Sequence, residues 1–331
     1  MKPALLVICV IVLAACGGSA TAGPVSIGAG LSGPADLRAA VYAHGLVHVS
    51  ALAYDRRGRL WATVSGSATH RKDGVYVVSH AGATPHKVAG GLTAPLGLVW
   101  VGDRLIVSSL GHVTSFWGFD GVRFRHSKLI LDGPVAGGEN TNIVLAPNGR
   151  LLMGVSASCD HCVPARKWSA AIVSFKPDGS DLRVYASRIR AAYGLAYLPG
   201  TSVLFASMNQ RDDLGARTPG DWLAIVRQGE NWGFPRCYGQ CAAQPKPLAV
   251  LDVHAAAGGV AVLSSSEVAV AEWQLGNVQE VTLELTSSGY TGTAHAFLTG
   301  FANPLPLLRT SSGSLLVGDW GTGRIYEIAK R

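Results

Sequence analysis

The chain has 331 residues, of which only 15% are charged, and its formal net charge is +7. The positive residues form no run and no stripe with interleaved aromatic residues, so the sequence does not fit a nucleic-acid-binding protein. The 41 glycines and the many β-branched residues favour an all-β fold with tight turns, and the length allows two ordinary domains or one large β architecture.

The first 15 residues are typical of a bacterial lipoprotein signal peptide. A basic start at Lys2 precedes the apolar stretch 4–15, which is too short to span a bilayer as a stable helix. The stretch runs into Leu-Ala-Ala-Cys, which fits a lipobox and predicts lipidation of Cys16. An ordinary signal peptide that contains a cysteine is the alternative. We expect residues 16–40 to form the lipidated cysteine and a flexible tether, and the protein to be exported and lipid-anchored in the bacterial cell envelope.

In residues 41–331 a two-strand unit recurs six times. Each unit is an apolar strand, a turn of small or polar residues, and a second apolar strand. The units cover residues 49–64, 96–109, 141–155, 194–207, 258–271 and 305–319. Further strands follow several units, which gives the four strands of a propeller blade. We therefore predict an all-β, six-bladed β-propeller with four-stranded antiparallel blades. Two tandem β-sandwiches are the alternative, but they do not account for six repeats.

Four cysteines lie beyond the signal region: Cys159, Cys162, Cys237 and Cys241. An even number of cysteines in an oxidising compartment indicates disulfides. We favour the pairs Cys159–Cys162 and Cys237–Cys241, each of which closes one short loop. Pairing between the two loops and a four-cysteine zinc site are the alternatives.

Residues 190–235 are the most informative part of the chain. They contain a strand pair, an acidic loop that begins Asn-Gln-Arg-Asp-Asp, and the turn Gly-Glu-Asn-Trp-Gly-Phe-Pro. This order resembles the glucose/sorbosone dehydrogenase family, six-bladed propellers that use pyrroloquinoline quinone (PQQ) and calcium to oxidise sugars. The resemblance covers nearly all of the chain beyond the signal region and implies the same fold. The turn is similar to the family's Gly-x-Asn-Tyr-Gly-Trp-Pro element, for which we expect a scaffolding role.

The resemblance also implies a cofactor site at the mouth of the central channel. Arg190 stands where the family places an arginine before a channel strand, and a guanidinium pairs well with quinone carboxylates. Asn209 falls on the family's glutamine, and Gln210 follows it in the same loop. This loop also contains three aspartates whose hard oxygen atoms suit calcium: Asp212, Asp213 and Asp221. The alternative is that these aspartates cap turns and pair with arginines on the surface.

Several other family positions differ in this chain. The family's general base, a histidine before the blade-three strand, falls on Gly138, which cannot accept a proton. Glu139 is the candidate base if burial raises its pKa, and a solvated loop glutamate is the alternative. Cofactor-pairing cations of blades five and six fall near Gln274 and on Asn303, so Arg190 is the one that the chain retains.

Two functions from different classes follow from these observations. The resemblance implies oxidation of a sugar by hydride transfer to PQQ. Loss of the histidine favours instead a non-catalytic propeller that binds a carbohydrate or a protein at the channel face. A metal-dependent lactone hydrolase is a third hypothesis, with Glu139, Asn209 and Asp319 as trial ligands. Fold alone does not decide among the three.

Overall fold

The structure, a computed structural model, describes residues 23–66, 71–132, 138–164, 166–239, 241–242, 244–287 and 289–331. The predicted signal peptide and the predicted lipidation at Cys16 lie outside these residues. Within the described ranges no helix has the length and apolar character needed to cross a membrane.

The described residues form 26 strands and one short 3-10 helix, Gly215–Arg217. The first half of the strands, in chain order, is β1 (Val25–Gly28), β2 (Leu31–Gly33), β3 (Leu37–Ala43), β4 (Val49–Tyr54), β5 (Leu60–Val64), β6 (Gly74–Val78), β7 (His86–Ala89), β8 (Gly97–Val101), β9 (Arg104–Ser109), β10 (His112–Phe119), β11 (Phe124–Asp132), β12 (Asn140–Leu145) and β13 (Leu151–Val155). The second half is β14 (Ala171–Phe175), β15 (Arg183–Ser187), β16 (Ala191–Tyr197), β17 (Leu204–Asn209), β18 (Gly220–Val226), β19 (Ala249–Val253), β20 (Ala257–Ser264), β21 (Glu267–Glu272), β22 (Asn277–Thr286), β23 (Gly289–Thr299), β24 (Pro304–Arg309), β25 (Leu315–Asp319) and β26 (Arg324–Lys330).

The strands form six antiparallel sheets, which are the blades of a propeller. Blades one to four are β4–β7, β8–β11, β12–β15 and β16–β19, and blade five contains β20–β23. Blade six combines β24, β25 and β26 with β3. Each predicted two-strand unit coincides with the first two strands of one blade. The prediction of an all-β, six-bladed propeller is therefore confirmed, and two β-sandwiches are excluded.

The N-terminal segment differs from the prediction of a tether through residue 40. Strands β1 and β2 extend the outer edge of blade five, where Ser32 of β2 pairs with Thr299 of β23. Strand β3 closes the ring by pairing with β26 from Leu37↔Lys330 onward. The tether prediction relied on the small-residue composition and overlooked apolar residues in this segment. Ile27 and Leu31 are buried in the core between blades five and six.

The hydrophobic core of the described residues consists of six clusters, each between two neighbouring blades. Trp61 of blade one packs with Leu98 and Leu105 of blade two, and Leu316 of blade six packs with Leu60 of blade one. Full burial of one such side chain stabilises the fold by about 1.5–3 kcal/mol. Because every cluster needs both neighbours, the ring buries its apolar faces only when all six blades are in place.

Hydroxyl groups on the second strands of blades two and four link each of these blades to the first strand of the next blade. Ser108 Oγ donates to the carbonyl oxygen of Thr141, and Ser207 Oγ donates to that of Gly258, both at 2.6 Å. Gly194 lets the backbones approach, because a Cβ there would lie 2.4 Å from the Gly258 carbonyl oxygen. These contacts hold the inner strands close together and fix the positions of the loops at the channel mouth.

Candidate functional site

Loops at one end of blades two, three and four surround a cavity of about 910 Å³. The loops precede the first strand of a blade or follow its second strand, and antiparallel pairing places both kinds at the same end. The ionisable residues of its lining, apart from Tyr193, are His112, Glu139, Asp160, Arg190 and Asp212. Three carboxylates thus face one guanidinium, so the cavity has a negative charge balance at neutral pH.

Glu139 lies in the cavity wall with Tyr193. The Tyr193 hydroxyl donates a hydrogen bond to Glu139 Oε2. Burial raises the pKa of Tyr193 well above its usual value, and the Glu139 charge raises it further. The phenol therefore remains a protonated donor, and Glu139 is a fixed acceptor that faces the cavity.

The residue before Glu139 has no room for a side chain. A Cβ on Gly138 would lie 2.2 Å from the Ser156 carbonyl oxygen and 2.5 Å from Ser156 Oγ. The backbone is held there because Glu139 N–H donates to Ser156 Oγ at 2.8 Å and Ser156 N–H donates to the Glu139 carbonyl at 3.0 Å. A histidine at position 138 would require this backbone to move.

Arg190 is positioned by the Gly-Glu-Asn-Trp-Gly-Phe-Pro turn. Trp232 N–H donates to the Ser187 carbonyl at 2.9 Å, and Phe234 N–H donates to the Arg188 carbonyl at 3.0 Å. The turn therefore has the scaffolding contacts that we expected, and it supports the chain just before Arg190. Within the described residues, Arg190 Nε is buried without a hydrogen-bond partner.

A disulfide-closed loop covers Arg190. Both favoured disulfides, Cys159–Cys162 and Cys237–Cys241, are present. Asp160, inside the first disulfide loop, pairs with Arg190 Nη2. The sequence did not reveal this contact.

Among the predicted cofactor-binding residues, Asn209 lines the cavity and Gln210 does not. Asn209 Oδ1 is buried, and no described residue donates to it. Gln210 is also buried, but its backbone N–H donates to Asp221 at 2.7 Å and its Nε2 contacts the Met208 carbonyl at 3.5 Å. Gln210 therefore supports the strand ends rather than the cavity.

The three aspartates predicted to bind calcium do not share a ligand site. Asp212 pairs with His254 at 2.9 Å, and Asp213 pairs with Arg211 at 2.6 Å. The Arg211 guanidinium lowers the pKa of Asp213 to about 2. Asp221 is buried, and burial raises its pKa to about 6. The alternative of pairing with surface arginines therefore describes Asp213, whereas Asp212 pairs with a histidine and also reaches the cavity wall.

Asp221 instead joins blade four to blade five. Its carboxylate accepts the backbone N–H of Gln210 at 2.7 Å and that of Ala257 at 2.8 Å. Asp319 is likewise fully buried, and it accepts four backbone N–H groups from two loops at one end of blade six, those of residues 302, 303, 321 and 322. Asp319 does not line the cavity with Glu139 and Asn209. The trial ligand set for a lactone hydrolase is therefore not assembled.

The described residues contain no group of three or more histidine, cysteine, aspartate or glutamate side chains placed to hold a metal ion. The calcium site predicted from the oxygen atoms of the acidic loop is therefore not assembled by the side chains of these three aspartates. The three aspartates offer oxygen atoms that suit calcium, but each carboxylate contacts a different partner.

No protein-family model matches the sequence, and no curated protein matches it. Solved structures do match in fold. A PQQ-bound aldose sugar dehydrogenase from Streptomyces coelicolor superposes with a TM-score of 0.74 at 18% identity, covering 90% of this chain and 100% of that chain. A putative glucose dehydrogenase from Thermus thermophilus gives 0.71 at 18%, covering 88% and 100%. A family AA12 carbohydrate-active enzyme from Trichoderma reesei gives 0.76 at 15%, covering 93% and 98%.

The fold is therefore that of the six-bladed propellers found in PQQ-dependent sugar dehydrogenases. The resemblance predicted from residues 190–235 is confirmed at the level of the fold. At identities below 20% this similarity does not extend to the reaction.

The cavity residues do not fit PQQ. A tricarboxylate needs several cationic partners, and among the described residues of the lining Arg190 is the sole arginine or lysine, which Asp160 already neutralises. Glu139 and Asp212 add further negative charge to the wall. An anionic quinone would therefore be repelled more than it is attracted.

Proposed function

We propose that the protein binds a small, uncharged, hydroxyl-rich ligand of the carbohydrate class, without quinone-dependent oxidation. The ligand would lie in the cavity between the loops of blades two, three and four, which we call the mouth cavity. The proposal is the binding alternative stated from the sequence. It is supported by the polar lining of the cavity and by the carbohydrate-active proteins that share the fold.

One observation carries the proposal: the cavity lining contains a buried donor and a buried acceptor that lack partners among the described residues. The donor is Arg190 Nε and the acceptor is Asn209 Oδ1. A buried polar group without a partner costs about 1–3 kcal/mol, so a ligand that satisfies both gains that free energy. A sugar hydroxyl both donates and accepts, whereas an anion offers acceptors only.

Glu139 suits the same ligand class. Its Oε2 already accepts from Tyr193, and a carboxylate has further lone pairs that accept ligand hydroxyls. Charge-assisted hydrogen bonds of this kind are stronger than neutral ones. The negative charge balance of the cavity does not oppose a neutral sugar.

Calorimetric titration of the purified protein with D-glucose, D-galactose, D-xylose and cellobiose tests the proposal. We expect saturable binding of at least one sugar in the absence of PQQ and calcium. Asn209→Leu removes the buried acceptor and should weaken that binding about tenfold, close to the value of one lost hydrogen bond. Asp178→Asn, at an exposed turn between β14 and β15, is the control and should change nothing.

The same protein, loaded with PQQ and calcium, should show neither quinone binding nor reduction of a dye by the sugars. Tight quinone binding with dye reduction would overturn the proposal and restore the dehydrogenase. If no sugar of the panel binds, the proposal that the ligand is a carbohydrate is wrong.

We also propose that the protein is an exported lipoprotein anchored through Cys16 in the bacterial cell envelope. The lipobox-like Leu-Ala-Ala-Cys sequence supports it. Labelled palmitate should be incorporated by the full-length chain and not by Cys16→Ala. Equal labelling of both chains would contradict the anchor.

A further inference from the structure

The loop of residues 157–164 contacts Arg190, the charged group that an anionic ligand of the cavity would need. Three contacts dock this loop beside Arg190. Ala157 N–H donates to the Arg190 carbonyl at 2.6 Å, Asp160 pairs with the Arg190 guanidinium, and His161 Nδ1 lies 2.9 Å from Asp213 Oδ2. The loop therefore bridges the chain before β16 and the acidic loop after β17.

The Cys159–Cys162 disulfide closes the loop around Asp160 and His161. Its ends are constrained further, because Cys162 N–H donates to Cys159 Sγ at 2.7 Å. Two side chains on adjacent residues are thus held toward two different partners. A tight loop of this kind removes the alternative positions that Asp160 would have in an open loop.

The Arg190 guanidinium is the sole arginine or lysine group in the cavity lining that the structure describes, and its side chain is only 20% exposed. With Asp160 in place, its charge is compensated within the protein. Without Asp160, a partly buried guanidinium of the cavity lining would lose the carboxylate that compensates its charge. Such a group is well suited to a carboxylate, which it binds through two parallel hydrogen bonds.

We propose that Asp160, held by the Cys159–Cys162 loop, is the residue that determines the charge specificity of the mouth cavity. It makes the cavity select neutral polyols and reject carboxylates of the same size. The inference deepens the proposed carbohydrate function and rests on the same cavity, but its test does not require the natural ligand.

The test uses D-gluconate and D-glucitol, which share a six-carbon polyol chain and differ in the carboxylate. In calorimetric titrations, Asp160→Asn should raise the affinity for gluconate at least tenfold over the unmodified protein, in line with one gained charge-assisted hydrogen bond. The affinity for glucitol should change less than twofold. Asp178→Asn makes the same change in net charge at an exposed turn and should leave both affinities unaltered.

Two further variants and a matched disulfide control show which residues the effect depends on. Asp160→Asn combined with Arg190→Gln should lose the gain for gluconate, because the guanidinium that binds the carboxylate is absent. Cys159→Ser with Cys162→Ser should produce part of the gain through a looser loop, whereas Cys237→Ser with Cys241→Ser should not. The Cys159/Cys162 variant also provides an answer if Asp160→Asn does not fold.

Equal gains in Asp160→Asn and Asp178→Asn would show a general charge effect and overturn the inference. A gain that persists without Arg190, or no gain in either the Asp160 or the Cys159/Cys162 variant, would also overturn it. Failure of the carbohydrate proposal is distinguishable, since it shows as an absence of sugar binding by the unmodified protein.

Discussion

Carboxylates at the channel mouth differ from carboxylates at the blade junctions in what their oxygens contact. Glu139, Asp160 and Asp212 line the cavity and contact side chains. Asp221 and Asp319 are buried, and their oxygens accept backbone N–H groups from neighbouring segments. The first group is available to a ligand, and the second group holds backbone segments in place, between blades four and five for Asp221 and between the loops of blade six for Asp319.

This difference shows that aspartates and glutamates close together in a sequence cannot be assigned to one binding site from their residue type alone. A carboxylate that accepts several backbone N–H groups has few lone pairs left for a metal or a sugar. A carboxylate held by a single side chain retains several. The two groups should therefore respond to mutation in different measurements, stability for the junctions and ligand affinity for the mouth.

Asp319→Ala should give the largest effect. It leaves four backbone N–H groups near the blade-six loops without their acceptor, which we expect to lower the free energy of unfolding by about 3–5 kcal/mol. Chemical denaturation measures the loss. Glu284→Ala, at an exposed position of β22, should stay within about 0.5 kcal/mol. Equal losses would remove the distinction between junction and surface acids.

The pH dependence of stability should report two buried acids, Asp221 and Glu272. Glu272 of blade five joins the two blades as Asp221 does, because it accepts the backbone N–H of Asp252 in blade four at 3.1 Å. Burial raises the pKa of Asp221 from 3.8 to about 6 and that of Glu272 from 4.5 to about 7. The folded protein then keeps protons that the unfolded chain releases, so stability should fall as pH rises from about 4 to 7 and level off above. Asp221 alone accounts for roughly 3 kcal/mol of this fall.

Denaturation curves measured between pH 4 and pH 8 test the sign of this dependence. Asp221→Asn should reduce the slope of the profile below about pH 6, and Glu272→Gln should reduce it from about pH 4.5 to about pH 7. A profile in which stability rises through this range in the unmodified protein, and is unchanged in both variants, would contradict the assignment.

Glu139→Gln tests the role of the carboxylates at the channel mouth. It removes the charge but keeps an acceptor for Tyr193, so the free energy of unfolding should change by less than about 1 kcal/mol. Affinity for whichever sugar of the panel binds should fall about tenfold, because charge-assisted hydrogen bonds to the ligand are lost. A large stability loss with unchanged affinity would place Glu139 with the junction acids.

Asp213→Asn should give the smallest effect. Asp213 pairs with Arg211 and His161 outside the cavity lining, and exposed ion pairs of this kind contribute less than about 1 kcal/mol. Sugar affinity should be unchanged, in contrast to Glu139→Gln. A loss of sugar affinity as large as that of Glu139→Gln would show that Asp213 contributes to ligand binding, which contradicts its position outside the cavity lining.

The fold was predictable because one hairpin recurs six times with turn residues between its strands. Each repeat gave the position of a blade, and the number of repeats gave the number of blades. The N-terminal strands were missed because β2 and β3 pair with strands from the far end of the chain. Local composition carries no signal for such pairings.

The cavity was predictable only in part. Arg190 and Asn209 flank strands that the repeat had already located, and the structure places both in the cavity lining. Asp221 looked similar to Asp212 in the sequence, but it lies inside β18, where the pairing register directs it to blade five. Tyr193 and Asp160 were not found, because they reach Glu139 and Arg190 across 54 and 30 residues of chain.

The pairing of β3 with β26 also has a consequence for how the protein is made. Arg38 contacts Lys330 across a separation of 292 residues, so the outer strand of blade six has its partner only after residues 324–330 have been synthesised. Contacts of such long range form late and slowly. A nascent chain that stops before β26 would leave β3 unpaired and β25 exposed as a sheet edge, which favours aggregation. Ring closure therefore requires that β26 be synthesised before β3 and β25 can both be paired.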